Sequence, residues 1–66
     1  MELIVNGKTM QIGPATIRDL LVKLEIDPTS VAVERNLEIV PKKIYESLHL
    51  HDGDRIEIVH FVGGGS

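Results

Sequence analysis

No cysteine occurs among the 66 residues, and a chain this short must then be stabilised by packing alone. Disulfides, thiolate metal sites, iron–sulfur clusters and a catalytic thiol are all excluded from such a sequence. A domain of this size buries only about 60% of the surface that its unfolded chain exposes, so a deep catalytic cleft is not expected. We therefore expect one small domain with one modest core.

Two alternating segments at the N-terminus predict a β-hairpin. Leu3 and Val5 lie on one side of the first segment, and Met10 and Ile12 lie on one side of the second. Between them stands Asn6-Gly7, two residues that tolerate the positive φ angles of a tight hairpin turn.

A helical segment follows the break at Gly13-Pro14. Thr16 stands three residues before Asp19, which is a variant of the capping box that starts many helices. Apolar residues then recur at helical spacing, which predicts an amphipathic helix of about three turns that Asp27-Pro28 ends. These apolar residues are Ile17, Leu20, Leu21 and Leu24.

The second half of the sequence predicts further strands separated by polar turns. The predicted elements are a strand at Val31–Val33, a polar stretch at Glu34–Asn36, an extended Ile39–Val40 limited by Pro41, an irregular helical turn within Lys42–Leu48, a turn at His51–Asp54 and a last strand at Arg55–Val62. The order β-β-α-β-β predicts an α+β domain, a mixed sheet with one main helix on one face. The predicted core is Leu3, Val5, Met10, Ile12, Ile17, Leu20, Leu21, Leu24, Val31, Val33, Ile56 and Ile58.

The side of the last strand that faces away from this core is a candidate partner-binding surface. Val59 and Phe61 lie on it, and Phe61 is the single phenylalanine of the chain. Burial of such a ring in a partner contributes about 1.5–3 kcal/mol, which favours docking for Phe61. For Val59, docking and ordinary packing are equally supported. Arg35 is interpreted as a solvated loop charge, with pairing to a partner carboxylate as the alternative.

The C-terminus ends in a glycine arm, Gly63 to Ser66. A segment without Cβ atoms is flexible and narrow, and it can enter a cleft that side chains would block. From the residues alone, a disordered terminus or a linker remnant is together as well supported as a functional arm. We expect a domain over residues 1–62 followed by a flexible arm over 63–66.

Several strings together resemble the thiamine-pathway sulfur carriers of the ThiS/MoaD ubiquitin-like family. They are Val31–Asn36, Glu38–Pro41, Asp52–Asp54 and Ile56–Gly65, in the order of that family and over essentially the whole chain. The resemblance implies a β-grasp fold, the fold of ubiquitin-like proteins. It places Gly64 and Gly65 on the terminal diglycine of the family and Gly63 on the small residue before it.

The resemblance also implies how such a chain would work. An E1-like adenylyltransferase (ThiF-like) uses ATP to adenylate the carboxylate of Gly65, and sulfur from a donor protein then gives a thiocarboxylate. Family members deliver this sulfur to thiazole synthase (ThiG-like). On this view Gly63 and Gly64 are recognised in the arm, Val59, Phe61, Val62 and Arg35 contribute to the partner-binding surface, and the chain has no catalytic residue and no bound cofactor.

Ser66 departs from the family pattern, because it leaves Gly65 without a terminal carboxylate. It is removed before activation, is an addition to the natural chain, or is tolerated by the partner. The rival functions are a molybdopterin-pathway sulfur carrier, which shares fold and arm, and a non-covalent β-grasp binding module.

Other binding functions find little support in the sequence. The net charge is −3 and no basic stripe is present, which argues against nucleic-acid binding. The residues His49, His51, Asp52 and Asp54 are interpreted as a turn and not as a metal site, because a useful zinc site needs three or four convergent ligands. The apolar start Leu3–Val5 is too short for a signal peptide or a membrane span, so a cytoplasmic protein without membrane contact is expected.

Overall fold

The computed structural model describes residues 1–61, which form a five-stranded mixed sheet with one helix on one face. The strands lie in the order β2-β1-β5-β3-β4. The elements are β1 (Glu2–Val5), β2 (Lys8–Gln11), α1 (Ile17–Lys23), β3 (Val31–Arg35), β4 (Glu38–Ile39) and β5 (Arg55–His60), with 3₁₀ turns at Pro28–Ser30 and Lys42–Ile44. The α+β prediction is confirmed.

The predicted N-terminal hairpin is confirmed and has a second role. Asn6 and Gly7 have φ angles of 49° and 81°, as a two-residue turn between Val5 and Lys8 requires. The Asn6 N–H donates to the carbonyl of Ile56 at 2.9 Å, and Asn6 Oδ1 accepts from the Ile58 N–H at 2.7 Å. The turn therefore also extends the short parallel pairing of β1 with β5.

Helix α1 starts where the sequence predicted. Thr16 Oγ1 accepts from the Asp19 N–H at 3.1 Å, and Asp19 Oδ2 accepts from the Thr16 N–H at 2.9 Å. This reciprocal pair satisfies two amide groups that the first turn leaves without helical partners. The capping-box prediction is confirmed.

The helix ends earlier than predicted, before Asp27-Pro28. It has seven residues, and Glu25 reverses the chain with a φ of 59°. The Ile26 N–H then donates to the Leu21 carbonyl at 2.9 Å, and the Glu25 N–H donates to Val22 at 3.0 Å, which is the Schellman arrangement. Glycine usually occupies this left-handed position, so a glutamate gave no sequence signal for the end.

Strand β3 is longer than predicted and forms a second hairpin with β4. It runs to Arg35, and the turn to Glu38 consists of Asn36 and Leu37, with φ angles of 51° and 73°. The predicted end of the strand at Val33 was therefore wrong, because the polar residues Glu34 and Arg35 continue it. Leucine rarely adopts a positive φ, which explains why this turn was not predicted.

Strand β5 occupies the centre of the sheet. It pairs in parallel with β1 and antiparallel with β3, where Val31 is opposite His60 and Arg35 is opposite Ile56. It ends at His60, one residue before Phe61, whereas the predicted strand ran to Val62. Val62 and the glycine arm lie outside the described residues.

The core lies between α1 and one face of the sheet. Its buried residues are Leu3, Val5, Ile17, Leu20, Leu21, Val31, Val33, Val40, Tyr45, Leu50, Ile56 and Ile58. Nine predicted positions are among these, while Met10, Ile12 and Leu24 are only partly buried at its margin. Val40, Tyr45 and Leu50 come from the irregular region after β4, where no periodicity marks a buried face. No helix within residues 1–61 has the length and apolar character needed to cross a bilayer.

Candidate functional site

The face of the sheet opposite the helix is the candidate partner-binding face, and we call it the open face. In β5, Ile56 and Ile58 are buried in the core, and Glu57 and Val59 alternate to the other side. Val59 is opposite Ala32 in β3 and is 54% exposed. The predicted position of Val59 outside the core is confirmed.

Two further apolar side chains, those of Ile4 and Ile39, extend this face. Ile39 in β4 is opposite Glu34, which places it on the open face, and it is 76% exposed. Ile4 in β1 is half-buried and alternates with the core residues Leu3 and Val5. The alternation of β1 contained the signal for Ile4, but Ile39 depends on the register set by the unpredicted Asn36-Leu37 turn.

Carboxylates lie among these apolar residues. Glu34 and Glu57 are directly opposite each other on β3 and β5. Like charges in that arrangement repel and lower the stability of a sheet. A basic group of a partner placed opposite these two carboxylates would relieve this repulsion.

Phe61 is the last described residue, and we call its position, two residues before Gly63, the root of the glycine arm. Its N–H donates to the Ser30 carbonyl at 3.0 Å, which continues the β3–β5 pairing by one bond. Its ring is 56% exposed, and the Nζ atom of Lys42 lies 5.0 Å from the ring centroid. Sequence reasoning missed Lys42, because nothing in the local sequence links the two positions.

Arg35 lies away from Val59 and Phe61. It is the last residue of β3, so the interpretation as a loop charge was wrong, and it is opposite Ile56 at the far end of β5. Its Nη1 atom lies 3.7 Å from Oδ2 of Asp54, and its side chain is 27% exposed. An intramolecular partner thus accounts for its charge, and contact with another protein stays a prediction for Arg35.

The turn that precedes β5 is joined by side-chain hydrogen bonds to β1 and to the turn between β3 and β4. Asp52 Oδ1 accepts from the Glu2 N–H at 2.7 Å. The two carboxylate oxygens of Asp54 accept from Asn36 Nδ2 at 3.0 Å and from the His51 N–H at 2.8 Å. The predicted turn is confirmed, and residues 1–61 hold no group of three or more histidine, cysteine, aspartate or glutamate side chains that could bind a metal ion.

The predicted arm positions cannot be placed on this geometry. Val62, Gly63, Gly64 and Gly65 lie outside the described residues, and so does Ser66. The structure brings Val59 and Phe61 to the same end of β5, which is the end that continues into the arm.

A mixed sheet of five strands in this order, wrapped around one helix, defines a ubiquitin-like β-grasp domain with an exposed sheet face. The model of the ThiS family matches residues 3–65. The chain belongs to the ThiS family.

This chain is similar to a known protein of nearly the same length and to a segment of a much longer one. The sulfur carrier protein ThiS of Bacillus subtilis is 48% identical over 92% of the chain and 96% of its own length. A thiazole synthase of Paramagnetospirillum magneticum is 49% identical over the whole chain, which spans only 21% of that longer protein.

A solved structure supports the fold directly. The crystal structure of the thiamine biosynthesis protein ThiS from Geobacter metallireducens superposes with a TM-score of 0.85 at 32% identity. The comparison covers 98% of this chain and 100% of the other. The β-grasp prediction is confirmed.

Proposed function

We propose that this protein is a sulfur carrier of thiamine biosynthesis that presents a C-terminal glycine to partner enzymes and is not itself a catalyst. The observation that carries the proposal is the match of the ThiS family model to residues 3–65, which includes the glycine arm up to Gly65. A relative of matching length with the name sulfur carrier protein adds support.

The proposed activation takes place on an E1-like adenylyltransferase that binds ATP. An oxygen of the Gly65 carboxylate attacks the α-phosphorus of ATP, and pyrophosphate leaves. Hydrosulfide released by a donor protein then adds to the acyl carbon, and AMP leaves with one of the former carboxylate oxygens, so that oxygen is replaced by sulfur. The carrier supplies the carboxylate and the docking surface, and it binds no cofactor of its own.

Thiazole synthase is the proposed acceptor of this sulfur. The thiazole synthase of Paramagnetospirillum magneticum contains a segment that matches the whole of this chain. A carrier domain within the same polypeptide would have a high effective concentration at the acceptor enzyme, which favours transfer between them. The separate chain would achieve the same encounter by docking.

The open face is the proposed docking surface. Val59 and Phe61 supply exposed apolar area at the root of the arm, and Glu34 and Glu57 supply charges that a basic partner would complement. Val62, Gly63 and Gly64 would then lead into the partner, where a narrow backbone is required. Arg35 would contact a partner only by exchanging its ion pair with Asp54.

The test is a mass measurement on a chain that ends at Gly65. Incubated with its E1-like enzyme, ATP and a sulfur donor, this chain should gain the mass difference between one sulfur and one oxygen atom. The 66-residue chain should show no gain at Gly65, because Ser66 makes that carbonyl an amide.

Gly64→Val is the matched variant for the arm. A β-branched side chain widens and stiffens the backbone where the partner must enclose it, so the mass gain should be lost while thermal unfolding is unchanged. A full gain in this variant would remove the diglycine as the recognition element. No gain in the Gly65-terminated parent chain would leave only non-covalent binding as the function.

A further inference from the structure

Lys42 and Phe61 are brought together by the tertiary fold. Lys42 begins the second 3₁₀ turn, and Phe61 follows β5. The 5.0 Å between Nζ and the ring centroid lies within the range of a cation–π contact. The ammonium group covers part of the ring, which remains 56% exposed.

The Lys42 ammonium group has a second, weaker contact within the same part of the fold. It donates to the backbone carbonyl of Thr29 at 3.4 Å. Thr29 is in turn held by Asp27, whose Oδ1 accepts from the Thr29 N–H at 2.9 Å and from its hydroxyl at 2.8 Å. These two hydrogen bonds, followed by the nearby charge of Lys42, lower the pKa of Asp27.

The backbone of Phe61 lies at the end of the β3–β5 pairing. One backbone hydrogen bond to Ser30 holds its amide, one residue beyond the last strand pair of Val31 with His60. A strand end with a single bond frays readily, because each released residue regains about 1–2 kcal/mol of backbone entropy. The ring contact with Lys42 is a second interaction, beside the Ser30 hydrogen bond, that holds this residue in place.

We propose that Lys42 is a positioning residue that holds Phe61, the last described residue before the glycine arm, beside the Pro28–Ser30 turn. The inference rests on the proposed carrier function, because holding Phe61 affects activity only where another protein must receive the arm that follows it. A correctly oriented reactive group reaches its reaction partner in a larger fraction of encounters.

The first test uses the free 66-residue protein and needs no partner. Exchange of the Phe61 amide hydrogen should become about two- to fivefold faster in Lys42→Met, the range that an exposed cation–π contact supports. Lys42→Arg keeps a cation over the ring and should restore the parent rate. Lys43→Met removes the same charge from the neighbouring exposed residue and should have no effect.

The second test measures thiocarboxylate formation on the Gly65-terminated chain with its E1-like enzyme. In Lys42→Met, kcat should fall about two- to fivefold while KM stays within twofold, since the substitution keeps both the Val59 and the Phe61 side chains of the docking face. The same substitution in a Phe61→Leu background should have no further effect, because Lys42 acts through the ring. A rise in KM that persists in the Phe61→Leu background would show direct contact of Lys42 with the partner and overturn the proposal.

The two tests separate this proposal from the carrier function itself. If the parent chain gains no sulfur, the carrier function fails, and the exchange rates alone decide whether Lys42 holds Phe61. Equal exchange rates in the parent and Lys42→Met would overturn the proposal whatever the kinetics show. Unchanged kcat with faster exchange would overturn it as well, because the contact would then have no role in presenting the arm.

Discussion

Leu20 and Val22 show how sharply the environment changes within two residues of α1. Leu20 is fully buried between the helix and the sheet, whereas Val22 is 62% exposed on the opposite side. In a domain this small, each fully buried side chain supplies a large share of the hydrophobic stabilisation. The two positions therefore form a matched pair for testing where the core lies.

Leu20→Ala should lower the free energy of unfolding by about 2–5 kcal/mol, through lost burial and the cavity that remains. Small domains have only about 5–15 kcal/mol in total, so the variant should unfold at a much lower temperature. Val22→Ala should change stability by less than about 0.5 kcal/mol. Thermal and urea unfolding of both variants is the measurement, and equal losses would contradict the assigned core.

Side chains on regular elements were predictable from sequence, and those in irregular segments were not. The spacing of Leu20 on the helix and the alternation of Ile56 in β5 mark buried faces directly. Tyr45 and Leu50 are buried by chain segments that have no period, so their neighbours are set by the tertiary fold. The contact of Lys42 with Phe61 is of the same kind.

At the scale of elements, interactions between neighbouring residues predicted where a helix or hairpin begins better than where it ends. Asn6-Gly7 and the Thr16 cap are interactions between near neighbours, and both formed as expected. The end of α1 at Glu25 and the turn at Leu37 place ordinary residues at positive φ angles, which the surrounding structure must stabilise. Sequence reasoning therefore missed the β3–β4 hairpin and with it the position of Ile39.

The cap should matter greatly for a helix of seven residues, because such a short helix is marginal on its own. Thr16→Ala removes the hydroxyl that accepts from the Asp19 N–H, and it should cost about 0.5–2 kcal/mol of stability. Thr16→Ser keeps the hydroxyl and should remain close to the parent. Chemical denaturation of the two variants decides the point, and an undiminished Thr16→Ala would mean that packing alone fixes the start of α1.

For the molecule as a whole, two exposed carboxylates link stability to pH. The backbone N–H of Thr16, followed by its hydroxyl, lowers the pKa of Asp19 below its ordinary value of 3.8. Hydrogen bonds from Thr29 likewise lower the pKa of Asp27. A lowered pKa in the folded state means that folding favours the ionised form, so the stabilisation is present above pH 3.8.

Stability should therefore decline as the pH falls from about 4 through the lowered folded-state pKa values of Asp19 and Asp27. Asp19→Asn and Asp27→Asn retain an oxygen acceptor for the cap but cannot titrate, so each should flatten part of the decline. Unfolding free energies measured between pH 2 and pH 6, a range of about two units around the ordinary aspartate value, would show this. A decline of unchanged steepness in the double variant would assign the acid sensitivity to other carboxylates.

The central position of β5 in the sheet also affects the rate of folding. The hydrogen bond from Ile58 to Asn6 joins positions 52 residues apart, and β1 can pair with β5 only after the chain has closed that loop. Such distant pairing slows folding, and during synthesis at about 5–20 residues per second the sheet lacks its middle strand until β5 has been made. The Ser30 anchor of Phe61 forms only when β3 and β5 are paired. An unfolded chain thus has the same glycines but lacks the folded surface beside them. A partner that needs both would therefore not bind it.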